Sequence, residues 1–185
     1  MTQPQVNQHR FVQSLRFDAK RALHGRQIYR ALHARAAQVG LSGSYEAGGL
    51  FNTISDSLKM SSFMALARLH DNGTGAISIP RAASTKGIEQ PSDIRLLKKE
   101  LNKGFLSNLR EWRNQVYAHS LDGQLSTNIN ASHPILHEQV DGCIEVTCRI
   151  VNAYAELNLL GSWPPVQHDP DLDSQAATLV DKLFA

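Results

Sequence analysis

Four stretches of this sequence place apolar residues at steps of three and four, and no run of useful length alternates with the period of a β-strand. From His9 to Val39 the stripe is Val12, Leu15, Ala19, Ala22, Tyr29, Leu32, Ala36 and Val39. This predicts a long amphipathic helix over 9–39 with one gap, at Arg26, whose charge is expected to leave at the edge of the stripe. A second helix is predicted over about Glu46–His70, where Phe51, Ile54, Leu58, Ala65, Leu66 and Leu69 form a face widened by Met60, Phe63 and Met64. A helix apolar over that much of its circumference belongs near the centre of a bundle.

The third stripe is Ile94, Leu97, Leu101, Phe105, Leu109, Trp112 and Val116, which predicts one helix capped by Ser92 or Asp93 and ending near Ala118–Leu121. Gly104 then falls mid-helix, where it suits close packing against a neighbour. The fourth begins at the Ser132 and Pro134 signal and carries Leu136, Val140, Cys143, Thr147, Ile150, Tyr154 and Leu157, ending before Gly161. Gly40–Gly43, Asp71–Gly75 and Asp122-Gly123 supply the breaks, and short helices are expected at Pro80–Thr85 and Ser174–Phe184. Trp163–Pro170 reads as a proline-rich loop. The expected fold is all-α: a four-helix bundle with additional short helices, forming a single domain over residues 1–185.

With 185 residues the chain can bury its own core, and no apolar run is long enough to span a membrane. The N-terminal residues lack the apolar segment of a signal peptide. Cys143 and Cys148, five apart in a helical pattern, read as two core thiols and favour a reducing cytoplasm. Net charge is only +2, but it is unevenly placed. Residues 1–40 carry seven Lys/Arg against Asp18 alone, whereas residues 120–185 carry two against nine acids. That asymmetry suits a basic face for an anionic partner such as RNA, or two helices with solvated basic sides.

Several site chemistries are excluded. A di-iron bundle requires Glu-x-x-His, which the chain lacks. His133 and His137 are four apart, a spacing that grips a metal only with further ligands, and none is evident by pattern. Asp169–Asp173 opens like a calcium loop but places Ser174 where glycine is needed and Val180 where the bidentate glutamate belongs. Phosphate-loop, nucleophile-elbow and dinucleotide fingerprints are absent as well, so no metal and no cofactor is expected.

What remains is Arg113, Asn114 and His119 at the end of the third stripe. Arginine is a permanent forked donor to phosphate oxygens, and histidine exchanges a proton near neutral pH. On an ideal helix six positions set Arg113 and His119 about 120° apart. They share one site if the helix distorts near His119 or if a second copy completes it. The other reading of His119 is an imidazole capping the helix end.

Arg113-Asn-x-x-x-x-His119 resembles the Arg-polar-x4-His signature of HEPN domains. Phe51–Leu58, Ala65-Leu-Ala-Arg-Leu-His-Asp71, Ile77-Ser-Ile79 and Leu109–His119 resemble the AbiU-type, abortive-infection branch, over roughly residues 45–160. The basic helix 9–39 and the loop and short helix of 161–185 flank that core. The resemblance implies a HEPN-type bundle and a homodimer whose paired motifs face each other across a cleft. It implies a metal-independent endoribonuclease of defence or toxin–antitoxin type, with an antitoxin or regulatory protein as a further partner. His119 would transfer the proton, Arg113 would stabilise charge on the scissile phosphate, and Asn114 would orient the pair. One HEPN subgroup carries a modifiable tyrosine two residues after the histidine. Leu121 stands there in this chain, so that regulation is not expected. The alternative is a non-catalytic HEPN module that binds RNA, a nucleotide or a protein partner.

Overall fold

The computed structural model describes residues 3–39, 45–73, 75–118, 134–159 and 163–184. Among them the protein is all-helical: α1 (Gln3–Gln38), α2 (Tyr45–Leu69), α3 (Ile79–Ala82), α4 (Ile94–Glu100), α5 (Lys103–Ala118), α6 (His137–Asn158) and α7 (Pro170–Phe184). His119, Ser132 and His133 lie outside the described residues, as do Gly40–Gly43, Asp122-Gly123 and Gly161.

The long α1 is the spine. It packs on α2, α6 and α7, while α5 packs on α2 and α4 on α6. Val12, Leu15, Ala19, Ala22 and Leu32 are buried, as the stripe requires. Val12, Leu15, Ala19 and Ala22 join Phe63, Leu66 and Leu69 of α2, Phe105 and Leu109 of α5, and Val140, Ile150 and Tyr154 of α6 in one main core. Leu32 belongs to a second, smaller cluster with Ala176 and Val180 of α7, against which Phe51, Ile54 and Leu58 pack. Val39, placed on the stripe by periodicity, is exposed, because it lies beyond the end of α1.

At Gly25 α1 approaches α2 closely. A Cβ there would stand 2.6 Å from Ser62 Oγ and 3.2 Å from the Leu58 carbonyl oxygen. Ser62 uses that proximity, its hydroxyl donating to the Ala22 carbonyl at 3.0 Å.

The third stripe is two helices, not one. Leu101 takes an extended conformation (ψ 128°), and Asn102 Oδ1 accepts the Phe105 amide at 3.0 Å, which starts α5 afresh. The periodicity runs through the break because Leu97 and Phe105 stay buried and the half-buried Leu101 still packs on the core. Gly104 is therefore in the first turn of α5, and its nearest neighbour is the Asn102 cap oxygen rather than another helix. Asp93 is the residue before α4, but its side chain makes no capping bond.

The fourth helix starts at His137, with Leu136 extended before it. Asn108 of α5 donates to the Pro134 carbonyl at 3.0 Å and so fastens the approach to α6. The last helix starts four residues earlier than its stripe suggested. Asp169 Oδ1 accepts the Asp171 amide at 3.1 Å, Pro170 opens the helix, and Asp171 and Asp173 sit in its first turn, where acids favour the helix dipole. The acids that imitate a calcium loop are thus a helix start. Gln27, buried in α1, holds them there: its amide oxygen accepts the Asp169 amide at 3.2 Å, and its nitrogen donates to Asp173 at 3.1 Å.

Candidate active site at the end of α5

Arg113 and Asn114 lie in the last two turns of α5, whose final residue, Ala118, directly precedes His119 in the sequence. Trp112 anchors this turn, buried in the core with its ring edge-on to Phe63 at 6.4 Å. Arg113 is thereby turned off the core face. Its Nη1 donates to Asp71 Oδ2. Its Nε and Nη2 donate to Asn114 Oδ1 at 3.3 and 3.1 Å. Three of the five guanidinium N–H groups are used in this way among the described residues. Asn114 is exposed, while the Arg113 and Asp71 side chains each keep 24% of their surface open to solvent.

Asp71 was legible only as part of a resembling block, with no role of its own. Its carboxylate closes the turn that follows α2, Oδ1 accepting the Gly73 amide at 2.9 Å. That amide, more than the Arg113 guanidinium, holds the acid below the ordinary carboxylate range against the opposing cost of burial. Arg110, one turn back on α5, adds to the positive field at Asp71. The Asp71 carbonyl accepts the Ser78 hydroxyl at 2.6 Å, and Ser78 Oγ also caps α3 by accepting the Arg81 amide at 3.4 Å.

The other residues of the same block complete the support. Arg68 ties α2 to α1 through both oxygens of Asp18, at 2.6 and 3.1 Å. His70 is buried, its Nε2 bonded to Thr147 Oγ1 of α6 at 2.8 Å, and burial pushes its pKa down to about 4. Leu69 and Ile79 are in the core. Arg-Leu-His-Asp and Ile-Ser-Ile are therefore the frame on which Arg113 is held.

Arg26 departs from expectation. It is 7% exposed rather than extended to solvent. Its Nε and Nη2 clasp Asp141 of α6 at 2.7 and 3.1 Å, and its Nη1 lies 3.0 Å from His137 Nδ1. The gap in the first stripe is a buried fork between α1 and α6. His137, a member of the considered His133/His137 pair, faces this guanidinium, and burial followed by the Arg26 charge lowers its pKa. Such a neighbour disfavours any further cation at that imidazole. Among the described residues no three His, Cys, Asp or Glu side chains are grouped to hold a metal.

The family model of HEPN AbiU2 matches residues 7–177. The chain belongs to this family. The match extends the resemblance of 45–160 to α1 and most of α7, so the basic first helix is an integral part of the AbiU2 unit. None of the curated proteins and none of the solved structures matches this AbiU2 chain significantly. Among its described residues no helix is long and apolar enough to cross a membrane.

Proposed function

We propose that this AbiU2-family protein is a metal-independent endoribonuclease of abortive infection, acting in the cytoplasm as a homodimer. Its site residues are Arg113, Asn114 and His119. The observation that carries this reading is the Arg113 guanidinium, oriented on two sides by Asp71 and Asn114 at the end of the helix that leads into His119. A preoriented fork stabilises charge developing on a phosphate without reorganising at the moment of reaction.

In the reaction the ribose 2′-oxygen bonds to phosphorus and the P–O5′ bond breaks. His119 takes the 2′-hydroxyl proton as general base, and His119 of the second copy, protonated, gives its proton to the departing 5′-oxygen as general acid. The products are a 2′,3′-cyclic phosphate and a 5′-hydroxyl, with no water consumed. Arg113 balances the charge on the non-bridging oxygens, and Asn114 keeps the guanidinium in plane. The need for a 2′-hydroxyl selects RNA over DNA. Pairing two copies supplies both motifs to one cleft, which answers the 120° that an ideal helix sets between Arg113 and His119.

The test is cleavage of total RNA and labelled oligoribonucleotides in excess EDTA. The expected result is cyclic-phosphate ends from wild type, with His119→Ala slower by roughly 100- to 10,000-fold and Arg113→Lys also severely impaired for want of the fork. A second reading, a non-catalytic module, draws on the ion pair that already engages Arg113. Absence of cleavage across varied substrates, with binding unchanged in both variants, would establish that module instead.

A further inference from the structure

Among the described residues, carboxylates pair with the cations of α1 in the C-terminal half of the helix and not in the N-terminal half. In the C-terminal half Arg26 and Arg30 face Asp141, and Arg35 meets Asp181 of α7 at 2.7 Å. In the N-terminal half the acid is Asp18, and Arg68 takes both of its oxygens. Among the described residues no carboxylate pairs with Arg10, Arg16, Lys20 or Arg21.

Arg10, Arg16, Phe17 and Lys20 line a cleft of about 840 Å³ whose other wall is Trp163 and Pro164. Phe17 is 62% exposed, off the face of α1 that buries Val12, Leu15, Ala19 and Ala22, and the Arg21 guanidinium lies 5.0 Å from its ring centroid. Trp163 is 43% exposed, with Arg16 5.0 Å over its ring. Arg16 Nη2 donates to the Pro164 carbonyl at 2.5 Å, which fixes the loop carrying the indole against α1. Each exposed ring therefore has a guanidinium beside it, and further cations stand along the same helix.

We propose that this cleft binds single-stranded RNA, with bases stacked on Phe17 and Trp163 and phosphates held by Arg10, Lys20 and Arg21. The alternation of ring and cation matches that of base and phosphate along a strand, and stacking on aromatic faces tolerates any sequence. The assignment rests on the ribonuclease reading and adds to it a seat for the substrate away from the scissile bond. Asp18 lines this cleft and pairs with Arg68. The Arg68 carbonyl in turn accepts the amide of Asp71, the partner of Arg113. The cleft on α1 is thus linked, through Asp18 and Arg68, to the Asp71 that orients Arg113 at the end of α5.

The test measures binding of a labelled 12-nucleotide 2′-O-methyl oligoribonucleotide, which cannot be cleaved, by fluorescence anisotropy across a salt series. Phe17→Ala and Trp163→Ala should each weaken binding roughly 5- to 150-fold. The triple change of Arg10, Lys20 and Arg21 to Gln should reduce the slope of log K against log salt by about two. Arg35→Gln, outside the cleft, should change neither. Phe17 is exposed, so Phe17→Ala decides the matter if Trp163→Ala unfolds. No binding by wild type, or affinities and slope unchanged in the variants, overturns the cleft, including the case in which it takes a protein instead. Wild-type binding lost in the cleft variants without any RNA cleavage supports the cleft and fails the ribonuclease. Cleavage with an unaltered KM in Phe17→Ala does the reverse.

Discussion

Arg113 of α5 and Asp71, just past the end of α2, form an ion pair between two helices that also share the apolar core. The pair is too exposed to contribute more than about 1 kcal/mol to stability. Its effect is orientation, since Asp71 is itself fixed by the Gly73 amide and by Ser78. Asp71→Asn should therefore lower RNA cleavage roughly 10- to 100-fold and leave the urea midpoint nearly unmoved. Full activity in that variant would show that Arg113 needs no positioning from α2.

The Arg26–Asp141 fork is asymmetric. The arginine side chain is 8% exposed and the aspartate 34%. Removing the acid strands a buried guanidinium, whereas removing the arginine leaves a carboxylate that reaches water and Arg30. Asp141→Ala should cost about 3 kcal/mol, and Arg26→Met about 1 kcal/mol, since its methylenes are replaced. Chemical denaturation of the two variants checks the order, and equal losses would refute the asymmetry.

His70 gives stability a pH dependence. Its imidazole is held neutral in the fold, with a pKa of about 4, against about 6.5 in the unfolded chain. Between those values the unfolded state binds more protons, so this contribution is complete above pH 6.5 and is lost as pH falls towards 4. From pH 7.5 to 4.5 the wild type should lose about 2 to 3 kcal/mol more than His70→Gln, whose amide can still reach Thr147. Parallel losses in both proteins would move the acid sensitivity to another group.

Gly25 is required by contact rather than by backbone conformation. Gly25→Ala gains helix propensity but drives a methyl into Ser62 Oγ and the Leu58 carbonyl. The net loss should be about 1 to 2 kcal/mol. Adding Ser62→Ala should recover part of it, because the hydroxyl is removed while the backbone oxygen stays at 3.2 Å. Thermal melts of the single and double variants decide this, and a stabilised single variant would mean that α1 and α2 separate easily.

The sequence alone determined the fold class, three of the four long helices, and the placement of Arg113 and Asn114 near the end of a helix, in a stretch that resembles the HEPN signature. Those features are local: apolar spacing follows from the 3.6-residue turn, and the motif is contiguous. The tertiary structure decided what depends on partners far along the chain. It buried Arg26 against an acid 115 residues away, gave Asp71 to Arg113 across 42 residues, and pinned the start of α7 through Gln27. It also paired the cations in the C-terminal half of α1 with acids of α6 and α7. Periodicity reports which face of a helix is apolar, but a charge on that face is settled only by what the neighbouring helix brings to it. The break at Leu101–Asn102 escaped for a related reason: a single asparagine cap ended one helix and began another while the buried positions kept their spacing.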